Sequence, residues 1–173
     1  IWQEKGIEKS VISPVSLIVT AFTPVKDVRK TVTPELKSQP ESQLMVVDLG
    51  GGKNRLGGSA LAQVYGQVGS EAPDIDDAAL LKGFFEATQQ LVEQGLLLAY
   101  HDRSDGGLFT TVAEMAFAGR QGVDVIMDSI AGDHQEVLAA LFSEEAGAVI
   151  QVAKENLEVV QAAYAEAGLG AHN

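Results

Sequence analysis

The residues best suited to chemistry fall in three short stretches. YHDRSDGGL, residues 100–108, sets His101, Asp102, Ser104 and Asp105 where a strand gives way to a polar turn and then a helix. Ligands of open α/β sheets gather just past the C-terminal ends of strands. Asp102 is a hard oxygen donor of the kind that holds magnesium beside nucleotide phosphates. Ser104 offers a hydroxyl to a phosphate or ribose oxygen, while Gly106 and Gly107 allow a tight turn that brings backbone N–H groups to the next helix start. His101 is of the residue type that serves as general acid or base, although a histidine beside a strand is more often a hydrogen-bonded structural residue. Asp105 is best explained as the cap of the helix over 108–118; Asp102 lies too far upstream for that duty.

GGGKNRLGGS, residues 50–59, holds five glycines in ten positions together with Lys53, Arg55 and Ser59. Glycines let backbone N–H groups converge on an anion without obstruction by Cβ, and a helical turn after the loop adds its dipole. The pattern is neither a Walker loop nor a dinucleotide-binding fingerprint. Phosphate binding and a plain glycine-rich connection are equally good accounts of it. FSEEAG, residues 142–147, pairs Glu144 with Glu145. Paired carboxylates can hold metal or shuttle protons, but neighbours on a loop usually point apart, so a solvated turn is the favoured reading.

Positioning these stretches requires alternating strands and helices. Leu17–Phe22 and Leu44–Leu49 read as strands, the second running straight into the glycines. Residues 24–43 hold three of the five prolines and read as loop or edge hairpin. Residues 60–65 form a short helical turn. Asp76 and Asp77 can cap a helix with apolar positions at Leu81, Phe84, Phe85, Leu91 and Val92, stopped by Gly95. Strands follow at Leu96–Tyr100, Val123–Met127 and Ala148–Val152. The helices between and after them run over 108–118, from an Asp133 cap with Glu136 to Phe142, and from Leu157 to Ala167, stopped by Gly168. The fold class is α+β, a mixed α/β sheet with packed helices.

Composition narrows the function classes. A net charge of −12 argues against a nucleic-acid surface; residues 1–60 carry eight Lys/Arg against six Asp/Glu, residues 61–173 four against eighteen. The absence of cysteine excludes disulfides, thiolate metal sites and a Cys nucleophile in this chain. No apolar run reaches the length of a membrane span, and no secretory signal pattern opens the chain. The chain begins without Met and stops after a helix that should lead into another strand, so it reads as a piece of a longer polypeptide.

KNRLGGSAL, YHDRSDGGLFTTVAEMAFAG and LFSEEAGAVIQV, in that order and at these separations, resemble the long, single-chain form of phosphoribosylformylglycinamidine synthase. The likeness covers nearly all of residues 11–168. HDRSDGG alone would be less specific, because aminoimidazole ribonucleotide synthetase, selenophosphate synthetase, thiamine-phosphate kinase and a hydrogenase maturation protein use similar loops. The resemblance implies an aminoimidazole ribonucleotide synthetase C-terminal-domain-like fold, truncated at its C-terminus, over 11–173, with 1–10 as linker from a preceding domain. It implies part of an ATP- and glutamine-dependent amidoligase that converts formylglycinamide ribonucleotide to formylglycinamidine ribonucleotide in purine biosynthesis, in the cytoplasm, with no nucleic acid and no membrane as partner. Asp102 would be a magnesium ligand, Ser104 a contact to ATP or ADP, and Gly57, Gly58 and Ser59 contacts to the substrate phosphate. The remaining metal ligands and the glutaminase would come from other domains, so the piece alone would be inactive. The alternatives are a nucleotide site that only stabilises the fold, or another ATP-using enzyme of the same superfamily.

Overall fold

The computed structural model describes residues 2–10, 17–126 and 134–172. Its centre is a four-stranded sheet in the order β4-β5-β3-β6. The strands are β3 (Ser42–Asp48), β4 (Leu97–Asp102), β5 (Gly147–Ala153) and β6 (Ala171–His172), and every pairing is antiparallel. Because β3 and β4 both run antiparallel to β5, which lies between them, they run parallel to each other. Their C-terminal ends therefore lie at one end of the sheet, on either side of the N-terminus of β5. Ahead of the sheet, β1 (Trp2–Glu4) and β2 (Ile7–Lys9) form an exposed hairpin in the stretch expected to be linker. Its turn takes positive φ at Lys5 and Gly6, as a tight two-residue hairpin turn requires.

The period-two pattern of β3 and β5 splits the core into two layers. Met45, Val47, Ile150 and Val152 point to one face. They pack there against α2 (Ala78–Gln94) through Leu91, and against α5 (Leu157–Glu166) through Val160 and Tyr164. Val149, Ala99 and Leu36 point to the other face, which is covered by Leu108 and Met115 of α3 (Gly107–Gly119). The helix α4 (His134–Phe142) lies against α3, with Phe109 and Phe142 in ring contact at 5.5 Å. Asp77 caps α2 by accepting from Ala79 N at 2.7 Å, and Gly95 ends the helix in the left-handed conformation, as its sequence signals require.

Two expected strands are not formed. Residues 17–22 are unpaired among the described residues, with Leu17, Ile18, Val19 and Phe22 at 76–93% exposure. β-Branched composition favours a strand only where a neighbouring backbone supplies the ladder, and none of the described residues supplies one here. Residues 123–126 are likewise irregular, with Val125 and Ile126 exposed; Met127 and the Asp133 cap lie outside the described residues. Asp105 does not cap α3. Gly106 occupies the cap position in the left-handed conformation with no side-chain cap bond, and Asp105 is exposed.

Candidate functional site

The topology brings all three sequence stretches together. The glycine-rich segment leaves the C-terminus of β3, the polar turn leaves the C-terminus of β4, and the Glu144–Glu145 turn enters β5 between them. Sequence reading singled out each stretch but gave no sign that they meet.

The polar turn presents its side chains outward. Strand β4 extends to Asp102, so His101 and Asp102 are strand residues and point to opposite faces. His101 turns toward α3, where its Nε2 lies 2.7 Å from Glu114 Oε2. Asp102 turns to the same side as Tyr100, whose hydroxyl donates to Asp102 Oδ1 at 2.6 Å. Burial, reinforced by that carboxylate, pushes the Tyr100 hydroxyl above its ordinary pKa, so it stays a donor. Asp102, Ser104 and Asp105 are exposed. The structure thus brings Asp102 and Ser104 to one turn and separates His101 from them.

Arg103, between them, is the exception in direction. It is only 7% exposed. Its Nε donates to Glu145 O at 2.5 Å, and its Nη2 donates to Ala146 O at 3.0 Å and to Asp48 Oδ1. Asp48 also accepts from Gly50 N at 3.1 Å and Gly52 N at 2.8 Å. Burial alone would raise the pKa of Asp48; the Gly52 N–H, the Arg103 charge and the Gly50 N–H outweigh it and hold the carboxyl below its ordinary value.

The glycine-rich segment is bonded inward. Gly57 N donates to Glu71 O and Gly58 N to Val68 O, both at 2.6 Å, and Ser59 N donates to Leu56 O at 3.2 Å. Ser59 is fully buried; it caps α1 (Ala60–Val64) by accepting from Ala62 N, and its hydroxyl donates to Leu56 O at 2.7 Å. Of the donors that composition offered to a phosphate, those of Gly57 and Gly58 therefore hold the 68–71 chain against the loop, and those of Ser59 close on Leu56 O. Gly57 is required by that packing: a Cβ there would collide with Glu71 O. The two cations of the segment are also engaged. Lys53 pairs with Asp76 at 3.0 Å, and Arg55 pairs with Asp76 and, through two nitrogens at 2.6 and 2.8 Å, with Glu145.

The Glu144–Glu145 turn is not solvated. Glu145 is fully buried and forms a bidentate pair with Arg55; the carboxylate raises the Arg55 pKa further above its already high value. Half-buried Glu144 accepts through Oε1 from both Ala60 N and Gly106 N at 2.8 Å. Neighbouring side chains do diverge here, but each meets a donor set supplied by a distant stretch, a pairing that local spacing does not encode. The one available signal was position: two carboxylates directly before an apolar strand must be paired or leave the core. Arg103 and Asp48 were missed for the same reason.

Of the residues that the resemblance singles out, Asp102 alone has the carboxylate chemistry of a magnesium ligand. Asp102 is exposed, and one hydrogen bond from Tyr100 leaves further acceptor positions on its carboxylate. Among the described residues no group of three or more His, Cys, Asp or Glu side chains could hold a metal ion, so a metal at Asp102 would need further ligands from elsewhere.

Comparison with known families decides the lineage. Residues 39–173 match the family described as AIR synthase related protein, C-terminal domain. The chain belongs to that family. Solved structures share the fold of this AIR synthase-related domain. The ATP complex of PurL from Thermotoga maritima superposes with a TM-score of 0.61 at 17% identity, over 83% of this chain and 22% of that one. The FGAR complex gives 0.60 at 18%, over 83% and 25%. A structure of phosphoribosylformylglycinamidine synthase II from the same organism gives 0.62 at 15%, over 83% and 23%. The domain thus spans about a quarter of the solved chains it matches. No helix among the described residues is long and apolar enough to cross a membrane.

Proposed function

We propose that this AIR synthase-related domain is part of phosphoribosylformylglycinamidine synthase, where it binds a magnesium nucleotide through the turn after β4. The observation that carries the proposal is the exposed pair Asp102 and Ser104, held on a turn whose neighbour Arg103 is buried and fixed by three acceptors. A rigid base with outward carboxylate and hydroxyl is what a nucleotide–metal contact needs. The same fold in PurL has been solved with ATP, with ADP, with AMPPCP and with FGAR, which supports the nucleotide and the substrate class.

In this reading Asp102 holds magnesium, oriented by Tyr100, and Ser104 donates to the nucleotide. Magnesium, when bound, neutralises charge on the phosphates. The substrate amide oxygen takes the γ-phosphoryl group from ATP and ADP leaves; ammonia then attacks the amide carbon and phosphate departs. Glutamine supplies the ammonia through a glutaminase domain elsewhere in the polypeptide, and the remaining metal ligands lie in a neighbouring domain. The setting is the cytoplasm. Contact of Gly57, Gly58 and Ser59 with the substrate phosphate belongs to the same proposal, and it requires the Gly57–Glu71 and Gly58–Val68 bonds to open. His101 has no part in it, since it faces α3.

The test is Asp102→Ala in the intact protein, with Mg·ADP affinity measured by calorimetry and turnover measured with ammonia and ATP. Loss of affinity and turnover with folding intact supports the catalytic reading. Loss of ADP retention with turnover preserved shows a site that only stabilises the fold. Unchanged affinity overturns the role of Asp102. The isolated 173-residue chain is expected to form no formylglycinamidine ribonucleotide from ammonia and ATP.

A further inference from the structure

We infer that Glu144 is a positioning residue that couples the glycine-rich segment to the turn after β4, so that occupation of one is felt at the other. A single carboxylate oxygen, Oε1, accepts from Gly106 N, at the cap of α3, and from Ala60 N, in the first turn of α1, each at 2.8 Å. Both donors are helix-terminal groups with no partner inside their own helix. An ionised acceptor makes such bonds shorter and stronger than a neutral one does.

The two donors sit next to the residues of interest. Gly106 is two positions after Ser104, and Gly107 N closes that turn onto Ser104 O at 2.9 Å. Ala60 directly follows Ser59, the cap of α1. Movement of either backbone must stretch a bond to the same oxygen. The carboxylate is itself firmly mounted, because its neighbour Glu145 is held by Arg55 through the side chain and by Arg103 through the carbonyl. Asp48 makes a parallel tie by joining Gly50 and Gly52 to Arg103, so the two segments are braced at two points. The bridge stands on this geometry alone; its effect on ligand binding rests on the nucleotide reading above.

Hydrogen exchange at single amides in the intact protein tests both parts, using Glu144→Ala, Glu144→Gln and Glu144→Asp. Glu144→Gln keeps an acceptor oxygen at the same reach and is expected to speed the Ala60 and Gly106 amides far less than Glu144→Ala does. Glu144→Ala is expected to speed both together and to weaken Mg·ADP binding about tenfold, the usual scale for removing a group that orients a ligand. Should Glu144→Ala fail to fold, Glu144→Asp, one methylene shorter, is expected to speed at least one amide far more than Glu144→Gln does. In the wild type, Mg·ADP is expected to slow exchange at Ala60 as well as at Gly106. Exchange that rises at neither amide, or Mg·ADP protection confined to residues 104–107, overturns the coupling. A wild type that binds no Mg·ADP sinks the nucleotide reading instead, while the ligand-free amide pattern still decides the bridge.

Discussion

The two glycine-bearing loops at the end of the sheet look alike in sequence and behave oppositely in the structure. The segment 50–59 holds more glycines and two cations, yet its backbone donors at Gly57, Gly58 and Ser59 close on protein carbonyls and its cations on Asp76 and Glu145. The turn 102–107 has only two glycines, yet it leaves a carboxylate and a hydroxyl facing solvent. Glycine marks places where chains approach closely; whether a ligand or the protein itself makes the approach is decided by what the rest of the fold delivers there.

The contrast can be broken most forcefully at Arg103, which supports the open turn. Arg103→Ala removes the guanidinium from Asp48, Glu145 O and Ala146 O and is expected to cost about 3–5 kcal/mol, the scale for breaking a buried ion pair, read by denaturant unfolding. Next comes Gly57→Ala, whose added methyl collides with Glu71 O. It is expected to cost about 2 kcal/mol by overpacking, read by denaturant unfolding; a fall in affinity for formylglycinamide ribonucleotide with stability intact would support the opening of this loop onto the substrate phosphate. Asp102→Asn should weaken Mg·ADP at least about tenfold with no change in unfolding midpoint, because its side chain is exposed. Ser104→Ala should weaken the nucleotide by about 1 kcal/mol, one hydrogen bond, again without loss of stability.

A pH series sharpens the comparison from the other side. The Asp48 carboxyl has a lowered pKa in the folded protein. Its stabilising effect is therefore fully present above the unfolded value of about 3.9 and is lost as pH falls through the lower folded value. The gap in unfolding free energy between wild type and Asp48→Asn should hold steady at neutral pH and close only below about pH 4.

What the sequence disclosed followed from local signals. The short apolar runs Leu44–Leu49 and Ala148–Val152, the Asp77 cap and the Gly95 stop placed β3, β5 and α2 closely, because those signals act within a few residues. The motif around Asp102 was likewise legible as a candidate site. The failures were non-local. Leu17–Phe22 has the composition of a strand but no neighbour to pair with among the described residues. Glu145 looked like a surface residue because its partner, Arg55, lies 90 positions away. Asp105 is not the cap because α3 starts one residue later, with Gly106 in the cap position in the left-handed conformation, and the Gly106 N–H finds its acceptor in Glu144, 38 positions on.

The register of β5 carries a consequence of its own. Gly147 stands opposite Asp48, and Arg103 N donates to Gly147 O at 2.9 Å. Sliding this strand by a single residue would send Val149 and Ile150 to each other's layer and drag both glutamates off their donors. Assembly of the candidate site and burial of the hydrophobic interior are thus one cooperative event. A length change between Phe142 and Gly147 is therefore predicted to be intolerable, whereas the exposed turn at residues 65–67 has room to vary.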